Sequence, residues 1–155
     1  MAHPSFAENC AVCRRLAAPE SASLFENELW QVHPIEAPAG VPGWMVLYAK
    51  RHVPGAPQLS DAEAQSLGPT LRHLTARLLD VTGALRIYLA AMGESSPHFH
   101  MHLVPRYAEM PKAAKGWSVF DLQRAAAAGE ISSDPAEVER LAQEYQKRLQ
   151  SDPPR

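Results

Sequence analysis

The feature that most constrains this chain is the run His98-Phe99-His100-Met101-His102-Leu103-Val104, in which imidazoles alternate with apolar side chains. Successive side chains of an extended strand point to opposite faces. The three rings therefore project on one side, roughly 6–7 Å apart, while Phe99, Met101 and Leu103 enter a core. A face made almost wholly of imidazole adds nothing to stability, so a merely structural surface strand explains it poorly. Two chemical readings remain. Two or three rings converge on a metal ion, or one ring is a nucleophile whose neighbours place the proton and the leaving group. Pro97 before the run and Pro105-Arg106 after it delimit the strand, and Arg106 would add positive charge near an anionic substrate.

The frame around this strand is a single α+β domain. At 155 residues, 46% hydrophobic and 21% charged, the chain suffices for one sizeable core and is not compositionally disordered. A net charge of −2 argues against a nucleic-acid binder that relies on a basic face. The longest apolar run, near Trp44–Leu47, is far too short to span a membrane, and the first residues lack the pattern of a secretory signal. A cytoplasmic location is the expectation.

Leu24–His33 reads as a strand or hairpin start, Pro34–Pro42 as a loop, and Trp44–Ala49 as a central strand. Ser60-Asp-Ala-Glu63 is a capping box, followed by Leu67, Leu71, Leu74 and Leu78 at helical spacing until Gly83. Leu85–Met92 and Phe99–Val104 are the next strands. Asp134-Pro135 then starts a last helix, about 135–149, with Val138, Leu141, Tyr145 and Leu149 on its apolar stripe. The order predicts a meander-like antiparallel sheet with one main helix and a C-terminal helix. Residues 1–9 form a loose arm, 10–110 the domain and 111–155 a C-terminal extension. In that extension Trp117 and Phe120 pack on their own domain or at a subunit interface. The only two cysteines, Cys10 and Cys13, are spaced as a metal half-site or a redox pair.

The strand resembles the histidine triad signature at every position. The stretch Gly43-Trp-Met-Val-Leu-Tyr-Ala-Lys-Arg-His52-Val is similar to that family's preceding strand, and Leu103-Val-Pro-Arg-Tyr107 to its exit. Cys10-x-x-Cys13 resembles the zinc-binding branch. The resemblance covers roughly residues 10–107. It implies a nucleotide hydrolase or transferase in which His100 attacks the α-phosphorus of a nucleotide conjugate to form a nucleotidyl-histidine. The conjugate would be a phosphoramidate, an adenylate or a dinucleoside polyphosphate. The resemblance further implies that His102 contacts the phosphate or transferring group, Ser95 assists the leaving group, Gly93 admits backbone to the phosphate, and Glu36 binds the ribose. It implies a structural zinc held by Cys10, Cys13, His52 and His98, and a homodimer. Trp44 stands where the family often has histidine or threonine, and Arg86–Gly93 lacks the family's asparagine, so the nucleoside pocket is not the usual one. Trp30 and Trp44 are expected in the core, with stacking on a base as the alternative for the pair. The rivals to an enzyme of this class are a nucleotide-binding module without turnover and a metalloenzyme whose triad holds a catalytic ion.

Overall fold

The computed structural model describes residues 3–18 and 23–154; the first two residues of the expected arm, and Arg155, lie outside them. Its strands are β1 (Phe25–Glu26), β2 (Trp30–Pro34), β3 (Met45–Ala49), β4 (Arg86–Ala90) and β5 (His100–Arg106). Together they form one antiparallel sheet in the order β1-β2-β3-β5-β4. The first three strands meander. The chain then leaves through α2 (Asp61–Thr82), so that β4 takes the edge and β5 turns back into the space between β4 and β3.

That insertion puts the histidine strand beside β3, with Tyr48 opposite His100 and Val46 opposite His102. All five residues of β3 are buried because both faces of the sheet are covered. Met45, Leu47 and Ala49 join Trp30, Val32, Phe99 and Leu103 in a core under α2 and α4 (Pro135–Ser151), where Leu74, Leu78, Tyr145 and Leu149 close it. Val46 and Tyr48 face the other way, with Trp44 and Val104, into a second core. This core is covered by α1 (Ala11–Ala17) and by Val119 and Phe120 of α3 (Val119–Ala127). Both tryptophans of the expected pair are core residues, 0% and 1% exposed.

Local signals set the helix ends. Ser60 and Glu63 make the reciprocal capping bonds at the start of α2, and Gly83 ends it in the left-handed conformation at φ 63°. Asp134 caps α4, with Pro135 in its first turn. Gly40 serves close approach. A Cβ there would lie 2.5–2.6 Å from backbone atoms of Leu122 and Gln123, so the 34–42 loop lies directly against α3. The arm before α1 is held as well: the His52 amide donates to Ser5 Oγ at 2.7 Å, and Phe6 packs on the second core.

Candidate active site and metal centre

Four groups from three separate segments meet at the start of α1. Cys10 is the N-cap, its sulfur accepting from the Cys13 amide at 3.4 Å, so the Cys-x-x-Cys turn aims both sulfurs the same way. His52 follows β3, and His98 stands two residues before β5. Cys10 Sγ and Cys13 Sγ lie 3.6 and 3.5 Å from His98 Nδ1, Cys13 Sγ lies 3.4 Å from His52 Nδ1, and the two Nδ1 atoms are 3.3 Å apart. A tetrahedral zinc ion, with bonds of about 2.3 Å to sulfur and 2.05 Å to nitrogen, requires ligand atoms roughly 3.3–3.8 Å apart. These four spacings match edges of that tetrahedron, and all four ligand atoms lie within 4.8 Å of one another.

A further observation fits a cation. His98 is 0% exposed and its Nε2–H donates to the Ala49 carbonyl at 2.7 Å, so the Nδ1 lone pair faces the sulfurs. Four protein ligands leave no open position, which makes the centre structural. Among the described residues this is the group of His, Cys, Asp and Glu placed to hold an ion, and it takes only His98 from the triad.

The other two triad rings have different work. His100 Nδ1–H donates to the His98 carbonyl at 2.7 Å, so that in the neutral ring the lone pair sits on Nε2. His102 Nδ1 accepts from the Trp44 indole N–H at 3.1 Å, so its proton resides on Nε2. Burial pushes the His102 pKa down to about 4, with a further contribution from His100. Three rings meet the His102 ring at near-right angles, those of Trp44, His100 and Phe120, with centroids 5.2–5.6 Å away.

Both rings line an open cleft of about 840 Å³ counting its mouth, whose walls are Ala11, Val12, Arg15, Ile35, Glu36, Tyr48, Ser96 and Gln123. Arg15 donates to Glu36 at 3.0 Å and to the Pro34 carbonyl at 2.9 Å, with its guanidinium 5.7 Å from the Tyr48 ring centre. Gln123 of α3 donates to the Glu36 and Pro38 carbonyls and accepts from the Gly40 amide at 2.7 Å. A smaller cavity behind His100 is lined by Gly93, Met92, Phe99 and Ala56. Gly93 has φ 73°, a conformation that glycine accepts without strain.

Several expected positions differ. Ser96 lines the cleft, while Ser95, one residue earlier in a bend, is exposed to solvent. Arg106 sits at the far end of β5 opposite Arg86 and donates to the Tyr107 carbonyl, away from the cleft. Trp44 is 1% exposed and offers its N–H to His102 instead of a face to a base. Arg15, Tyr48 and Gln123 went unforeseen. Arg15, two residues past Cys13 on a helix the zinc ligands anchor, is the one whose place the sequence could have suggested.

No protein-family model matches the sequence, and no curated protein does. Solved structures do. A Hit-like protein involved in cell-cycle regulation from Bartonella henselae superposes with a TM-score of 0.67 at 14% identity, over 93% of this chain and 98% of that one. A histidine triad protein from Sinorhizobium meliloti gives 0.64 at 21%, over 82% and 88%. A zinc-bound histidine triad family protein from Mycobacterium smegmatis gives 0.64 at 14%, over 92% and 96%. At these identities the likeness is one of fold. The chain has the histidine triad fold, an α+β domain, and with it a Cys2His2 cluster of the geometry a structural zinc requires. Among the described residues, no helix is long and apolar enough to cross a membrane.

Proposed function

We propose that the protein is a histidine triad hydrolase or transferase that cleaves a nucleotide conjugate at its α-phosphate through a nucleotidyl-His100 intermediate. The observation that carries this reading is the hydrogen bond from His100 Nδ1–H to the His98 carbonyl, which leaves the nucleophilic Nε2 lone pair on a ring lining the cleft. Nε2 bonds to phosphorus as the bond to the leaving group breaks, and the electron pair goes with that group. The ring becomes a cation whose Nδ1–H stays on the carbonyl. Water then bonds to phosphorus, the P–N pair returns to Nε2, and one water proton passes to solvent. His102 donates from Nε2 to a phosphoryl oxygen, and the Gly93 segment lies beside His100 on the leaving-group side. Glu36, on the cleft wall, accepts from the ribose hydroxyls.

Cys10, Cys13, His52 and His98 hold a zinc ion that supplies structure and no chemistry. Its effect reaches the reaction through His98, whose ring is a ligand and whose carbonyl orients His100. The active species is a homodimer. Among the described residues β4 is an edge strand, hydrogen-bonded to β5 alone, and Leu85, Leu89, Met92 and Trp117 beside it are 46–75% exposed. A second copy pairing β4 with β4 would cover them. Leu89→Lys should convert the dimer to monomer in sedimentation.

The deciding experiment follows nucleoside monophosphate release from an adenylate, a phosphoramidate and a dinucleoside polyphosphate, with mass spectrometry of the quenched enzyme. Release with AMP or GMP attached to His100, and a loss of at least about a thousandfold in His100→Ala, is the expected result. Turnover that survives His100→Ala refutes the mechanism. Nucleotide binding without turnover makes the protein a binding module.

A further inference from the structure

We propose that Trp44 fixes His102 as a neutral Nε2–H donor and thereby selects conjugates whose leaving group departs as an anion, an anhydride over an amide of phosphorus. The inference deepens the proposed nucleotidyl transfer and rests on it for the substrate. Its tautomer component rests on geometry alone.

An indole N–H donates and cannot accept. Trp44 Nε1 lies 3.1 Å from His102 Nδ1, so that nitrogen presents its lone pair and the ring proton sits on Nε2. The indole has no freedom to turn away. Trp44 is 1% exposed, its amide donates to Val41 and its carbonyl accepts from Ile35, and the ring of Phe120 stands edge-on 5.1 Å from it. Phe120 also closes on His102 itself, edge-on at 5.2 Å. Protonating His102 would set an Nδ1–H against the indole N–H, two donors facing each other inside an apolar enclosure. The lowered proton affinity of the ring agrees with this arrangement.

The chemical consequence concerns the bond that breaks. When His100 Nε2 attacks an adenylate or a dinucleoside polyphosphate, the P–O electron pair leaves on a carboxylate or polyphosphate oxygen, which needs no proton to depart. When it attacks a phosphoramidate, the P–N pair leaves on an amine nitrogen that must take up a proton as the bond breaks. A neutral His102 spends its one N–H on the phosphoryl oxygen and has no spare proton to transfer to a departing nitrogen. The other polar groups on the wall are Ser96, Tyr48, Gln123 and the Arg15–Glu36 pair, in which the guanidinium holds the carboxylate at 3.0 Å. None is a second imidazole able to replace it.

The test has two readouts. Long-range proton–nitrogen correlation spectra of histidine-labelled protein should show His102 with a bare Nδ1 and a protonated Nε2 at neutral pH, and a tautomer mixture in Trp44→Phe. Steady-state rates on an acyl adenylate and a phosphoramidate of the same nucleoside should favour the first by about a hundredfold in kcat. Trp44→Phe should lower kcat about tenfold with KM within twofold, and Trp44→His, which can still donate, should restore part of it. If Trp44→Phe fails to fold, the wild-type spectrum and the wild-type rate ratio decide alone. A protonated Nδ1 on His102, or equal rates on the two conjugates, overturns the proposal. Turnover of neither conjugate with the tautomer as stated refutes the nucleotidyl transfer and the substrate half with it, and leaves the role of Trp44 in place.

Discussion

Gly40→Ala tests whether α3 is a structural wall of the cleft or an appended helix. The added Cβ would sit 2.5 Å from the Leu122 carbonyl carbon and oxygen and 2.6 Å from the Gln123 nitrogen, all backbone atoms that no rotamer change can move. Relieving the overlap takes a shift of about 1 Å between the loop and the helix, and overpacking of this kind costs about 1–3 kcal/mol. The same shift weakens the Gly40 amide bond to Gln123 and the two Gln123 amide bonds to the Glu36 and Pro38 carbonyls. With up to about 1 kcal/mol lost from each of the three partly exposed bonds, the total loss should fall between about 1 and 6 kcal/mol. Urea denaturation measures it, and hydrogen exchange locates it: amides of α3 and of the 34–42 loop should lose protection while those of α2 keep theirs. Because α3 carries Phe120 onto His102 and Gln123 onto the cleft, nucleotide affinity should fall with stability. A loss below about 0.5 kcal/mol with α3 protection unchanged would show that the loop and helix do not bear on each other, and the reasoning would fail.

Two further outcomes follow from the geometry. Cys13→Ser should abolish stoichiometric zinc by elemental analysis and lower the melting temperature by well over 10 °C, since a structural site contributes its binding energy to folding; full stability without metal would contradict it. His33 is 1% exposed, and burial first, then the Arg15 charge, pushes its pKa down to about 4. The unfolded chain therefore binds the extra proton between pH 6.5 and 4, so stability is fully present above 6.5 and declines as pH falls through that window. His33→Gln should remove up to about 3 kcal/mol of that decline, and an unchanged difference between the two proteins from pH 7 to 4 would count against it.

What could be read from the chain follows the range of the interactions. The alternation around His100, the Ser60–Glu63 box, the Gly83 stop and the Asp134-Pro135 start are local, written within a few adjacent residues, and the structure has each where it was expected. The Cys-x-x-Cys pair with His52 and His98 was legible through resemblance, because its spacing is that of a ligand set. Helix α3 was missed. Its alanine run carries no cap, as Ser118 makes no side-chain bond at its start, and its burial depends on the fit of Gly40 against Leu122. The cleft was missed in the same way. Gln123 reaches Glu36 across 87 residues and Trp44 reaches His102 across 58, and no periodicity records such a meeting. Trp44 looked like a departure from a pattern, and its partner explains the exchange: a ring that only donates has replaced side chains that can also accept.

His98 faces two ways, its ring toward the sulfurs and its carbonyl toward the nitrogen-bound proton of His100. Cobalt exchanged into the Cys2His2 centre would put a coloured, paramagnetic probe on the residue whose carbonyl accepts from His100, the proposed nucleophile. Under the proposed mechanism its visible absorption would respond as charge appears on that ring and disappears again, which would let single turnovers be timed without labelling any substrate.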